Sequence, residues 1–174
     1  MKKIDSMKNS RPKIKVPLEP MDVIAEIISV SLLVMLIIYT SLKFVDMPDT
    51  IPTHFNFKGE ADGFGSKNTM WLLPGIGILI YVGFSILNRF PHLHNYMVNI
   101  TESNALKNYR FSTRVLRFVT VFVMILFFYI QYTIVLHVKN QSALLSNWFI
   151  PSIIIATILL PVFLIIYQFK MNKK

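Results

Sequence analysis

The chain has 174 residues, of which 53% are hydrophobic and 16% charged, whereas about 25% of residues are charged in a typical soluble domain. It contains no cysteine, which excludes disulfides, thiolate metal sites, a catalytic thiol and a lipidated cysteine. The net charge of +9 would suggest nucleic acid in a soluble protein. Here the cations flank apolar runs, and no basic helix interleaved with exposed aromatics supports DNA or RNA binding. They are read instead as orienting the chain in a lipid bilayer.

Residues 1–22 form a basic tail punctuated by Pro12, Pro17 and Pro20, expected to be flexible and to lie near anionic headgroups. Four apolar runs follow, at 23–44, 70–87, 115–138 and 148–169. At about 1.5 Å per residue, runs of about 20 residues match a hydrocarbon core of about 30 Å. The alternation of a membrane barrel is missing, so the fold class is an all-α integral membrane protein with a four-helix bundle. The first run is too long for a signal peptide and no small-residue cleavage site follows it, so it reads as a retained anchor. Within it, Asp22 and Glu26 sit where a helix N-terminus favours negative charge, and capping accounts for them.

The outer loop at 45–69 holds the densest turn chemistry of the chain. Thr53-His54-Phe55-Asn56-Phe57 reads as a short extended segment and Lys58-Gly59-Glu60-Ala61-Asp62-Gly63 as a turn. Alternation places His54 and Asn56 on one face, open to a partner, and Phe55 and Phe57 on the other. The bland reading has His54 and Asn56 bonding the turn while Asp62 and Lys67 pair or cap the second helix. His54, Glu60 and Asp62 are scattered donors without a closed motif, which falls short of a metal site. No nucleophile triad, paired intramembrane carboxylates or His-Glu-x-x-His helix appears, so no enzyme activity and no cofactor is expected.

In the second span, Gly75, Gly77 and Gly83 permit close helix contact, and Pro74 and Pro161 are positions for kinks. Residues 88–114 form an inner loop. Phe90-Pro91 ends the second helix, and Thr101 stands where an N-cap would open an amphipathic helix with Ala105, Leu106, Tyr109 and Ser112 on its apolar face and Lys107, Asn108 and Arg110 opposite. His92 and His94 read as interfacial rather than metal-ligating. In the third span Gln131, Thr120 and Met124 share an inward face, with Gln131 as interhelical hydrogen-bonding glue. Residues 115–169 hold the third and fourth spans and 170–174 a short tail. The sequons at Asn99 and Asn140 are read as chance.

Lysines and arginines assign the sides. Lys2, Lys3, Lys8, Arg11, Lys13 and Lys15, then Arg89, Lys107, Arg110, Arg114 and Arg117, then Lys170, Lys173 and Lys174 fall on one side. Only Lys43, Lys58, Lys67 and Lys139 fall on the other. The excess marks the cytoplasm, with both termini inside and the His54 loop outside.

The run Pro48-Asp49-Thr50-Ile51-Pro52-Thr53-His54-Phe55-Asn56, with Gly59-Glu60, Asp62-Gly63 and Gly65-Ser66-Lys67, resembles the signature of domain-of-unknown-function family 1648, a module that also opens the Sdp-type immunity proteins. The likeness covers residues 23–87 and extends to Asn88-Arg89-Phe90-Pro91 and Asn95-Tyr96, where His94 stands in place of a phenylalanine. The resemblance implies a bacterial plasma-membrane protein. In its characterised relatives it implies protection against a peptide toxin and sequestration of a cytoplasmic regulator. The leading expectation is a non-enzymatic binding protein acting through His54, Asn56, Gly59, Glu60, Asp62 and Lys67. The alternatives are a small transporter or channel subunit and a metal-dependent membrane enzyme.

Overall fold

A computed structural model describes residues 11–140 and 148–173. Lys2, Lys3, Lys8, Lys174 and the Gln141-Ser142 part of the second sequon lie outside them. The element order is α1 (Pro20–Phe44), β1 (Thr50–Phe55), β2 (Ala61–Ser66), a 3-10 turn (Lys67–Trp71), α2 (Leu72–Leu87), a second 3-10 turn (Pro91–Leu93), α3 (Ala105–Asn140) and α4 (Phe149–Asn172). α1, α3, α4 and the continuous stretch of the 3-10 turn and α2 (Lys67–Leu87) are each long and apolar enough to cross a membrane. The protein is a multi-pass membrane protein.

Along the helices many large aliphatic and aromatic side chains are exposed, while the buried set is rich in small and polar residues such as Ala25, Ser29, Thr40, Thr113, Thr120 and Thr133. Lipid tails are as apolar as leucine, so hydrophobicity does not drive helices together here; close packing and internal hydrogen bonds do. Several hydroxyls are satisfied within their own helix, Ser29 donating to the Ala25 carbonyl and Thr120 to that of Leu116, both at 2.8 Å.

The α1 and α3 helices form the central pair. Glu19 caps α1 reciprocally with Asp22, whose carboxylate accepts from the Glu19 amide at 2.9 Å. Asp22 and Glu26 do more than cap. Arg114 Nε reaches Asp22 Oδ1 at 3.0 Å, its Nη2 donates to Glu19, and Arg117 Nε donates to Glu26 at 2.9 Å. Arg110 Nε stands 3.0 Å from Glu19 as an ion pair without hydrogen-bond alignment. The arginines read as orienting charges thus also lock two helices in register. Asp22 is only 2% exposed, which excludes water from the centre of the cluster.

The expected amphipathic segment forms the first turns of α3 rather than a separate helix. Its faces differ from the helical-wheel assignment: Asn108 is buried and Leu106 exposed. Asn108 turns inward because α4 supplies amide partners there. Asn108 and Asn172 exchange side-chain hydrogen bonds at 2.9 and 3.0 Å, and Gln168 accepts from the Met97 amide at 3.1 Å. Among the glycines of α2, only Gly77 meets a neighbour closely, a Cβ there falling 3.2 Å from Leu33; at Gly75 and Gly83 nothing lies within 4 Å. Pro74 stands in the first turn of α2, where its missing N–H removes no helical bond. Gln131 and Thr120 face inward as expected, but the Gln131 amide and the Thr40 hydroxyl have no partner among the described residues.

Residues 11–19 do not form a free tail. Arg11 donates to the carbonyls of His92 and His94 at 3.1 and 2.7 Å and stacks over Tyr96, while Tyr109 donates to the Pro12 carbonyl at 3.0 Å. His94 is buried at the centre of this end. Its Nε2 donates to the Leu87 carbonyl at 3.0 Å, leaving Nδ1 to accept from the Ser112 hydroxyl at 2.8 Å. That is a neutral imidazole holding loop to helix, in place of an interfacial side chain.

Two outcomes follow from these contacts. Asp22→Ala leaves Arg114 with Glu19 alone and Arg117 with Glu26 alone, and the loss of a charged hydrogen bond lowers stability in detergent by about 2 kcal/mol, read from thermal unfolding against the unsubstituted chain. Burial pushes the His94 imidazole below its ordinary range; the Leu87 carbonyl opposes this and His92 adds to it. The unfolded chain then binds the proton more readily. Stability is full above about pH 6.5 and declines as the pH falls below that value. A pH series of unfolding midpoints should show this slope, and His94→Gln should flatten it.

Candidate functional site

The end opposite the arginine cluster carries the loop at 45–69 as an antiparallel β-hairpin. Its register pairs Thr50 with Ser66, Ile51 with Gly65, Pro52 with Phe64, His54 with Gly63 and Phe55 with Ala61, with irregularities on both sides of His54. The extended segment begins earlier than Thr53, and Asp62 and Gly63, read as turn, belong to a second strand. Strand pairing decided this, since isolated β-propensity at Ala61-Asp62-Gly63 is poor.

The hairpin is seated on the helices. Ile51 is fully buried with Met47, Met70, Ile134 and Val135, and Tyr39, Phe44, Phe55, Ile130 and Val138 pack around them. Phe55 also sets its ring edge-on to His137. Phe57, expected beside Phe55, is instead 78% exposed at the tip, as Phe64 is along β2. The irregularities around His54 break the alternation that would have put the two phenylalanines on one face.

The polar residues fall into two groups. At the tip, Asn56 is the organiser. Its Oδ1 accepts from the amides of Lys58 and Glu60 at 2.8 and 3.1 Å, and its Nδ2 donates to Glu60 at 2.9 Å. Gly59 has φ of 80°, a left-handed conformation in which a side chain is strained. Next to this turn His54 Nδ1 lies 2.5 Å from Asp62 Oδ1, with both side chains exposed. Lys67 is elsewhere, at the hairpin's base. It donates to the Met47 carbonyl at 3.2 Å, lies 3.4 Å from Asp49 and sits over the Phe44 ring. The pairing of Asp62 with Lys67 is therefore replaced by His54–Asp62 and Lys67–Asp49. His54, Asn56, Gly59, Glu60 and Asp62 come together; Lys67 buttresses them from below.

Among the described residues no group of three His, Asp or Glu side chains could hold a metal ion. The tip offers an imidazole, two carboxylates, an amide and, among the described residues, an open backbone edge, a set suited to hydrogen-bonding a polar partner.

Residues 31–78 match the family model of DUF1648, a domain of unknown function. The chain carries a DUF1648 domain. The matched stretch runs from within α1, through the hairpin, into the first turns of α2, while the α3 residues Ile134 and Val135 that seat the hairpin lie outside it. An uncharacterized protein of Archaeoglobus fulgidus is 33% identical over 66 residues, covering 33% of this chain and 36% of that protein. The chain thus spans about a third of the length of the curated relative it matches. No solved structure matches.

Gly63 is the sequence signal for the His54 geometry, because a Cβ there would fall 2.8 Å from the His54 Cβ. Gly63→Ala should displace His54 from Asp62 and loosen the hairpin. Faster amide exchange across 50–66 by mass spectrometry, with exchange in α1 and α3 unchanged, would be the result; unchanged hairpin exchange would show that the strands absorb the methyl group.

Proposed function

We propose that this DUF1648 protein is a non-enzymatic binding protein whose hairpin receives an extended peptide or a protein segment on the outer face of a bacterial inner membrane. The observation that carries the reading is the open edge of β2. Among the described residues the sheet has two strands, and β1 is the one packed against α3. β1 includes Pro52, which has no N–H to offer, whereas Ala61–Ser66 contains no proline. An incoming strand can add to such an edge through main-chain hydrogen bonds, with side-chain pockets supplying selectivity. Exposed Phe57 and Phe64 provide apolar contact beside it, and the His54–Asp62 and Asn56–Glu60 pairs provide polar readout.

The basic segments that meet at the far end support cytoplasmic termini under the positive-inside rule. The likeness to the opening module of Sdp-type immunity proteins supports a peptide toxin as the partner class.

A photo-crosslinking residue at Phe57 or Phe64, expressed in the native cell alongside a C-terminal reporter active only in the cytoplasm, tests the reading. A reproducible peptide or protein adduct that is lost in His54→Ala, with the reporter active, is the expected result. Lipid adducts alone, insensitive to His54→Ala, would discard it.

A further inference from the structure

At the arginine-rich end, a cleft of about 630 Å³ opens between the chain segment before α1, the ends of α1 and α2, and α3. Its polar lining comes from Lys15, Glu26, Tyr81, Ser85, Asn88 and Arg89. None of these residues belongs to the hairpin, and the inference does not depend on the hairpin's role.

The cleft presents spare positive charge and a spare acceptor. Arg117, at its inner wall, is already taken up by Glu26 at 2.9 Å and Asp22 at 3.7 Å. Lys15 and Arg89 are exposed and form no ion pair among the described residues, so two cations face the opening uncompensated. Glu26, 31% exposed, receives at Oε2 only a long bond, from the Tyr81 hydroxyl at 3.4 Å. An acceptor held in so weak a bond has room for a stronger donor. The ligand the cleft complements thus carries an anion for Lys15 and Arg89 and an N–H or O–H for Glu26.

The surroundings select its source. Ile14, Leu18 and Met21, on the segment crossing the cleft and the start of α1, are exposed apolar side chains, as is Phe90 on the other side. Such residues beside free cations mark the headgroup level of a bilayer, where basic recesses between helices take lipid phosphates.

We propose that this cleft binds the headgroup of a phospholipid whose phosphate sits on Lys15 and Arg89 and whose ammonium or hydroxyl group donates to Glu26. Phosphatidylethanolamine and phosphatidylglycerol meet both demands. Phosphatidylcholine carries the phosphate but has no N–H or O–H on its headgroup, so it serves as the control.

The test uses the full chain in nanodiscs and detergent, with retained lipid counted by native mass spectrometry. The expected result is retention of phosphatidylethanolamine or phosphatidylglycerol at least tenfold above phosphatidylcholine. Arg89→Gln combined with Lys15→Gln abolishes the preference, whereas Lys139→Gln, at the hairpin end, leaves it intact. Both altered cations are exposed, so folding is not at stake, and hairpin crosslinking is unaffected. Equal retention of phosphatidylcholine, or a preference that survives the double substitution, overturns the proposal. Displacement of the lipid by millimolar inorganic phosphate also overturns it, by identifying free phosphate as the occupant.

Discussion

The ion cluster that ties Glu19, Asp22 and Glu26 to Arg110, Arg114 and Arg117 sets the register on which the other contacts depend. Two helices in lipid slide past each other at little cost, because one apolar surface is as good as the next. Charges near the low-dielectric edge remove that freedom, since an unpaired member is far more costly than a paired one. Asp22 faces Arg114 and Glu26 faces Arg117. Carried along the two helices, the same offset aligns Leu33 with Met124, both of which approach Gly77 of α2. It then brings the outer end of α1 beside Ile134 and Val135, where the hairpin is seated.

That seating gives the candidate site its rigidity. An isolated two-stranded hairpin is marginal in water, and this one has Gly63 and Gly65 in its second strand. Its order comes from Ile51 and Phe55 below and from Lys67, which straps Met47 and Asp49 to the start of the 3-10 turn. The tip then needs only its own hydrogen bonds through Asn56 and Glu60 to hold its shape. The result is a small polar display on a helical platform, with the far edge of β2 open among the described residues.

The opposite end combines a small apolar cluster with polar clasps. Ile100, Ala105 and Tyr109 are buried together with Val16, Tyr96 and Val98 against them, and hydrogen bonds and amide pairs through Arg11, His94, Asn108 and Gln168 tie together the segment 11–19, the loop around His94 and the last turn of α4. The α4 helix buries only Gln168 among its described side chains, so its attachment rests on those amides and on the ring contacts Phe111–Tyr167 and Tyr129–Phe149. The two ends therefore differ in kind. The hairpin end has an apolar plug, and the basic end a smaller apolar cluster framed by hydrogen bonds and interrupted by a charged cleft.

The four spans, their approximate limits and the gathering of basic segments at one end were legible in composition alone, because hydrocarbon thickness and backbone desolvation leave a chain few options. The signature from Pro48 to Lys67 likewise marked the outer loop as ordered, and the inward face of Thr120, Met124 and Gln131 followed from helical spacing. Pairing was not legible. Whether Asp62 would meet His54 or Lys67, whether Asn108 would turn inward, and whether the three arginines would find Glu19, Asp22 and Glu26 depend on contacts between residues distant in sequence. Local periodicity carries no information about those distances. The tertiary structure alone decided them, through the helix register fixed by the ion cluster and the strand register that places Gly63 against His54.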